Sequence, residues 1–368
     1  MIIINYIMLS LFFLAGIIQI FYYLFFYLRL KNPEKNISET QLPLSVIICA
    51  KNEKYNLSKN LPKILEQDYK NFEVIVVDDA SADETPELLK RLEQKYSNLR
   101  HTTIPKSNRF KEGKKFAQTL GIKSAKKEYL VFTDADCVPL SDLWLQKIND
   151  SFLQEKEIIL LYGKYKQTKA FLNKVIRFDA FFIVQQYLTF SLRGINYMGV
   201  GRNLAYKKSL FEKNKGFASH LGLSSGDDDL FINEAANKQN VIVEITPESF
   251  TESTPKKTFL EWINQKSRHL STAHKYKRFH KILLTLEPIT RVLLLLIIWL
   301  IMLKFNILAS SVFLLIILLI KFFVYKKNLS VLRDKDLLLY SLIIDLILPF
   351  INLLIFINLK FTKHLKWK

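Results

Sequence analysis

Cysteine is almost missing from this chain: Cys49 and Cys137 are the only two in 368 residues, each at the end of an apolar, strand-like run. That usage suits reduced core residues in a cytosol-facing domain and excludes a disulfide framework. Also missing is any Cys/His cluster with metal-ligand spacing, which removes a structural zinc module. There are no internal repeats or low-complexity tracts, so a repeat array does not fit. Charge is wholly absent from Ile2 to Leu28. That run exceeds the ~20 residues needed to cross a bilayer core. No small-residue cleavage site follows it, and Arg29 and Lys31 close it. A cleaved signal is thereby excluded, and a retained transmembrane anchor is expected over residues 1–28.

Two more apolar regions follow, at 292–325 and Leu337–Leu359. Residues 291–325 can hold two helices joined by a tight turn near Lys304-Phe305-Asn306, or one tilted helix and an interfacial one. Positive charge orients such segments. Arg29, Lys31 and Lys35 follow the first span, and Lys326, Lys327, Arg333 and Lys335 lie between the last two. Four spans place both clusters and everything between the first two spans in the cytoplasm. Lys360, Lys363, Lys366 and Lys368 then fall outside, so two or three helices are open for the membrane region 283–360. The net charge is +19, from 53 basic and 34 acidic residues. It is dispersed over a domain that also holds most of the acids, which points to lipid headgroups and small anionic substrates and not to nucleic acid.

Between the membrane segments, strands and helices alternate. Strands are expected at Leu44–Ala50 and Phe72–Asp78 and just before Asp134; helices at Leu57–Leu65, Thr85–Tyr96 with Pro86 at its start, and Lys114–Ala125. The pattern implies an α/β sheet with helices on both faces, whose ligands gather at the carboxyl ends of the strands. Three such ends are polar: Asn52 and Glu53, Asp78 and Asp79, Asp134 and Asp136. Residues i and i+2 of a strand point the same way, so Asp134 and Asp136 can reach one Mg²⁺ or Mn²⁺, or the diphosphate it holds. A solvated strand-end turn competes with that reading. Farther on lie an amphipathic stretch over Phe171–Leu192, the run Met198-Gly-Val-Gly-Arg202-Asn203, the acidic cluster Asp227-Asp228-Asp229 and a basic helix through Gln265–Arg278.

The order of these motifs resembles the inverting glycosyltransferases of family 2, GT-A fold enzymes that use nucleotide-diphosphate sugars. The likeness covers roughly residues 43–270 and rests on Pro43-Leu-Ser-Val-Ile-Ile-Cys-Ala-Lys-Asn-Glu53, Val76-Val-Asp-Asp-Ala-Ser-Ala-Asp-Glu-Thr85, Asp134-Ala-Asp136 and Gln265-Lys-Ser-Arg-His269. It implies a GT-A domain with a Rossmann-like mixed sheet over 43–282. Asn52, Glu53, Asp78, Asp79, Lys114, Asp134 and Arg268 would bind the donor, a UDP-sugar, and Asp136 with Asp134 would hold Mg²⁺ or Mn²⁺. A carboxylate at Asp78 or Asp79 could accept the uracil imide N–H. Counting back from Leu230 makes Asp227 the base that deprotonates the acceptor hydroxyl, while counting from Gly226 makes it Asp228. An acidic helix N-terminus competes, above all for Asp229. Gln265, His269 and Arg202 would serve the acceptor and diphosphate. His269 stands where the family's Gln-x-x-Arg-Trp motif has Trp. The implied acceptor is a lipid-linked or growing glycan at the cytoplasmic membrane. A processive polysaccharide synthase and a silent nucleotide-binding scaffold are the rival readings. Trp262 is read as an interfacial anchor, His274 and His280 as solvated, and Glu287 with Arg291 as a pair near an interface. Asp345, deep in the last apolar run, is expected to bond another helix or a lipid acceptor.

Overall fold

The computed structural model describes residues 2–31, 38–106, 113–223, 225–304 and 307–359. Lys35, Lys111, the turn at Phe305-Asn306 and the tail lysines from Lys360 onward lie outside the described residues. The first helix, α1 (Ile2–Phe21), runs on through a π turn and a 3-10 turn to Arg29. The first half of the globular domain reads β1 (Leu44–Ala50), α2 (Lys54–Leu65), β2 (Phe72–Asp79), α3 (Thr85–Lys95), β3 (Leu99–Ile104), α4 (Lys114–Ser124), β4 (Tyr129–Phe132), β5 (Cys137–Pro139) and α5 (Trp144–Phe152). The second half continues with β6 (Ile158–Leu160), β7 (Gly163–Tyr165), α6 (Phe171–Ser191), β8 (Leu204–Lys207), α7 (Lys208–Lys213), α8 (Asp229–Ala235), β9 (Val241–Val243), β10 (Thr251–Ser253) and α9 (Phe259–Leu270). Three long helices close the chain: α10 (Arg278–Lys304), α11 (Ile307–Val331) and α12 (Leu338–Leu359).

Seven strands form the main sheet in the order β3-β2-β1-β4-β8-β6-β9, and three more form a small sheet, β5-β10-β7. β3, β2, β1 and β4 are parallel, whereas β8 runs antiparallel to both β4 and β6. The sheet is therefore mixed. Strand periodicity explains its two-sided burial. Val46, Ile48, Val74 and Val76 point into a core shared with Leu57, Leu61 and Leu89, while Ile47, Ile75 and Val77 point into one shared with Ala117, Ile122 and Phe132. β3 carries the mixed-polarity sequence LRHTTI, and so escapes the alternation that marks its neighbours.

Among the described residues, three helical segments are long and apolar enough to cross a membrane: Tyr6–Arg29, Leu308–Val331 and Lys335–Ile357. α10 packs beside α1 and α11. The turn between α11 and α12 docks on the globular domain through Asp334, which takes hydrogen bonds from Tyr162 Oη at 2.6 Å and Arg177 at 2.5 Å and an ion pair from Lys164 at 3.2 Å. Asn328, near the end of α11, donates to Tyr27 O at 2.9 Å and to Gln185 Oε1 at 2.7 Å. The end of the first segment and the α11–α12 turn thus meet the domain on one side.

Two local expectations change. Trp262 is no interfacial anchor, because it is 3% exposed and packs in the core beneath α9. His280 is buried, with Nδ1 3.0 Å from Asn233 Nδ2, and is not solvated.

Candidate active site

The first two strand ends are knitted to each other. Asn52 adopts a positive φ of 55°; its N–H donates to Ser81 Oγ at 2.8 Å and its Oδ1 accepts from Ala82 N at 2.7 Å. The Glu53 N–H donates to Thr85 Oγ1 at 3.0 Å, and its carboxylate takes the Asn56 amide at 2.5 Å. Both residues therefore shape the turn after β2. Asp78 and Asp79 are fully buried. Asp78 Oδ1 accepts from Ser81 N at 3.3 Å, and Asp79 lies 3.8 Å from Lys51 Nζ.

Lys114 is the hub of the cleft. Gly113, with φ at 149°, starts α4 so that the next side chain projects past the end of β4. Lys114 Nζ lies 3.0 Å from Asp134 Oδ1 and 2.9 Å from Asp227 Oδ2. Burial acts to discharge this ammonium, but the Asp134, Asp227 and Asp228 charges outweigh it and hold the lysine well above its usual value. Burial likewise acts to raise Asp134, and Lys114, Arg202 and Arg268 bring it below the usual carboxylate range. The Cys49 thiol, lining the same cleft with Gln118 and Gly201, is pushed up by burial and feels Lys114, Asp227, Asp134 and Asp79 together. Asp134 just past β4 and Asp227 from the loop before α8 therefore line one cleft, and Asp79 is near enough for its charge to be felt at Cys49.

The three consecutive acids have three different surroundings. Asp227 is buried and faces Lys114. Asp228 caps α8: its Oδ1 accepts from Asp229 N at 2.8 Å and its Oδ2 from Gly201 N at 2.7 Å. Its pKa is raised to about 7, by burial first and then by the Asp227 and Asp229 charges. Asp229 turns away from the cleft; Oδ2 accepts from Thr272 Oγ1 at 2.5 Å and Tyr276 Oη at 2.7 Å. Asp229 stands in the first turn of α8, where its Oδ1 accepts from Leu230 N at 2.8 Å, and Asp228 is the N-cap before it. Glycine matters at two positions here. Gly226 sits at φ 104°, and a Cβ on Gly201 would stand 3.2 Å from Lys114 Nζ and 3.4 Å from Asp228 Oδ2.

Asp134, Asp136 and Cys137 offer ligand atoms within 4.8 Å of one another. The Cys137 thiol stays protonated, raised first by burial and then by the two aspartates. Two hard carboxylates thus remain as the donors, a set that fits Mg²⁺ or Mn²⁺.

Helix α9 forms a basic wall. A capping box of Thr258 and Glu261 starts it, and the buried Lys266–Asp179 pair fixes it to α6. Gln265 hydrogen-bonds Tyr165, over whose ring the Arg202 guanidinium sits at 4.1 Å. Arg268 is close enough to stabilise the Asp134 carboxylate. His269 is exposed; its imidazole is pushed down first by the surrounding protein and then by the Arg268, Arg202 and Lys114 charges. Sequence reasoning missed Tyr165, whose platform role carries no local signal, and the bridging position of Lys114 between two acids.

Residues 45–214 match the family model described as Glycosyl transferase family 2. Among curated proteins, the chain is 30% identical over 131 residues to the UDP-Glc:alpha-D-GlcNAc-diphosphoundecaprenol beta-1,3-glucosyltransferase WfaP of Escherichia coli, covering 35% of this chain and 48% of that protein. It is 28% identical over 175 residues to the GalNAc(5)-diNAcBac-PP-undecaprenol beta-1,3-glucosyltransferase of Campylobacter jejuni, covering 47% and 54%. The chain spans about half the length of these curated relatives. A solved mannosyltransferase from Pyrobaculum calidifontis, in complex with GDP-Man and Mn²⁺, superposes with a TM-score of 0.59 over 92% of this chain and 97% of that one, at 18% identity. That likeness concerns the fold alone, and the mixed sheet described above is the GT-A fold.

Proposed function

We propose that this chain is a membrane-anchored glycosyltransferase that moves a sugar, with inversion, from a nucleotide-diphosphate donor of the UDP-sugar type to a hydroxyl of a lipid-linked or glycan acceptor. The observation that carries the reading is Lys114 Nζ lying between Asp134 and Asp227, at 3.0 and 2.9 Å. A diphosphate placed against the end of β4 competes for that ammonium and leaves Asp227 opposite the sugar. Inverting transfer is one in-line displacement, in which the acceptor oxygen forms the new bond to the anomeric carbon as the bond to the diphosphate breaks. Asp227 takes the hydroxyl proton. Asp228 is the poorer base, since both of its oxygens already hold backbone N–H groups.

Arg268 and Arg202 supply positive charge beside the same acids and orient the leaving diphosphate, Arg268 with a planar fork suited to phosphate oxygens. Asp134 and Asp136 would hold Mg²⁺ or Mn²⁺, which neutralises charge on the diphosphate as it departs. Asp78 and Asp79 serve the nucleoside, with Asn52 and Glu53 shaping their turn, and Gln265 with His269 lines the acceptor side. The domain faces the cytoplasm, because the basic residues Arg29, Lys31, Lys326 and Lys327 sit on its side of the helices.

The test is a screen of UDP-sugars on purified membranes, with mass spectrometry of the extracted lipids. Mn²⁺-stimulated transfer with release of UDP is expected, and chelation should suppress it. Release of pyrophosphate would mark a nucleotidyltransferase, and donor binding with no transfer to any lipid or glycan would mark a binding scaffold.

A further inference from the structure

The chain leaves α9 through an elbow, residues 271–277, before α10 begins, and this elbow grips the helix that follows the base. Thr272 and Tyr276 both donate to Asp229 Oδ2, at 2.5 and 2.7 Å. One turn later on α8, Asn233 Oδ1 accepts from Lys277 N at 3.2 Å, and Asn233 Nδ2 donates to Tyr197 O at 2.8 Å. His280, the third residue of α10, closes the set against the same amide at 3.0 Å. All of these side chains are buried: Asp229 is 6% exposed, Asn233 2%, Thr272 1%, Tyr276 8% and His280 8%.

These bonds are not needed merely to form α8. Asp228 already caps that helix, and the Leu230 N–H already takes the other oxygen of Asp229. They do tie three things into one rigid piece: the basic wall on α9, the start of α10, and the turn Gly226–Asp228 that ends two residues before Leu230. On the other side that turn is held to the sheet by Gly201 N through Asp228.

We propose that Asp229 is a positioning residue, which sets the place of the Asp227 carboxylate by fastening its turn to the elbow where the chain enters α10. The inference rests on the reading of Asp227 as base and extends it: the height of the base above the membrane is fixed by the first turns of α10. An acceptor carried on a lipid presents its hydroxyl at a fixed distance from the bilayer, so a base anchored at the membrane-side elbow meets it in register. Positioning of this kind is steep, since a displacement on the order of 1 Å costs about 10²-fold in rate.

The test uses the full chain in detergent or vesicles, with Thr272→Val and Tyr276→Phe combined, and Thr272→Ser as the conservative control. The double variant should lose at least about tenfold in kcat, while UDP affinity, read by titration, stays within about twofold. The serine control should keep wild-type kcat. Amide hydrogen exchange should quicken in residues 227–235 and stay unchanged in β1 and β2. Unchanged kcat, or unchanged exchange over 227–235, overturns the proposal. A parallel loss of UDP binding overturns it too, because it would mark general damage. Should the wild-type chain transfer no sugar, the catalytic reading fails, whereas the exchange measurement still decides whether the elbow anchors the turn.

Discussion

The cleft and the bundle of apolar helices each bury a cluster of acids and bases, and they balance their charges in opposite ways. Between the helices, Arg291 pairs with Glu287 and reaches Asp345 Oδ1 at 2.6 Å, Tyr325 adds a bond to the same oxygen at 2.7 Å, and Lys321 takes Oδ2 at 2.8 Å. Two acids meet two bases, and both Asp345 oxygens are held. In the cleft Lys114 is shared by Asp134 and Asp227, with Asp136 and Asp228 alongside and Arg202 and Arg268 facing them. A closed set of ions in an apolar setting holds helices together. An acid-rich set at the mouth of a cleft has capacity left for a ligand.

That contrast can be broken by mutation. The largest effect belongs to Asp227→Asn, which removes a proton acceptor: transfer should fall by about 10²–10⁴-fold with UDP affinity retained, as a turnover assay beside a binding titration will read. Equal loss of both would place Asp227 in donor binding instead. Next, Asp345→Leu strands Lys321 inside the bundle and leaves Arg291 with Glu287 alone, and it should cost about 3–5 kcal/mol of stability, seen as a lower melting temperature in detergent. Adding Lys321→Met should recover part of it. A comparable drop in kcat per folded molecule would erase the distinction between the two clusters.

Smaller effects sharpen the comparison. Lys114→Met should weaken donor binding by about 1.5–3 kcal/mol, the range for a charge-assisted hydrogen bond, measured by UDP titration. The smallest concerns pH. Asp228 is raised to about 7 in the fold, so between the ordinary carboxylate range and pH 7 the folded chain binds more protons than the unfolded one. Stability from this group therefore falls as pH rises across that window and is level above it. Asp228→Asn removes the slope, so the melting temperature of the variant relative to wild type should climb from pH 5 to pH 8. A constant difference would mean that Asp228 titrates in the ordinary range.

Much of the domain was legible in the residues. β1 and β2 alternate faces as their apolar patterns require, and the expected helices end within a few residues of α2, α3 and α4. Asp134 and Asp136 sit just past β4, as their strand-end spacing suggested. Glu287 with Arg291 was correctly paired at helical spacing, and Asp345 does bond a neighbouring helix. Trp262 and His280 were misplaced because an aromatic or basic residue near a membrane segment has the same local sequence whether it meets lipid headgroups or a core. That Asp228 caps α8 while Asp229 reaches Thr272 and Tyr276 was not legible, because neighbouring identical acids are distinguished only by what stands opposite them.

By itself, the sequence determined which segments are apolar enough to span or to pair as strands, and where acids stand at strand ends, since these follow from periodicity and composition over a few neighbours. Only the tertiary structure decided that Lys114 stands between Asp134 and Asp227, that Asp345 answers Arg291 and Lys321, and that Asp229 holds the elbow. Those contacts join residues far apart along the chain, and a pairing across such distances leaves no periodic trace in either partner's neighbourhood.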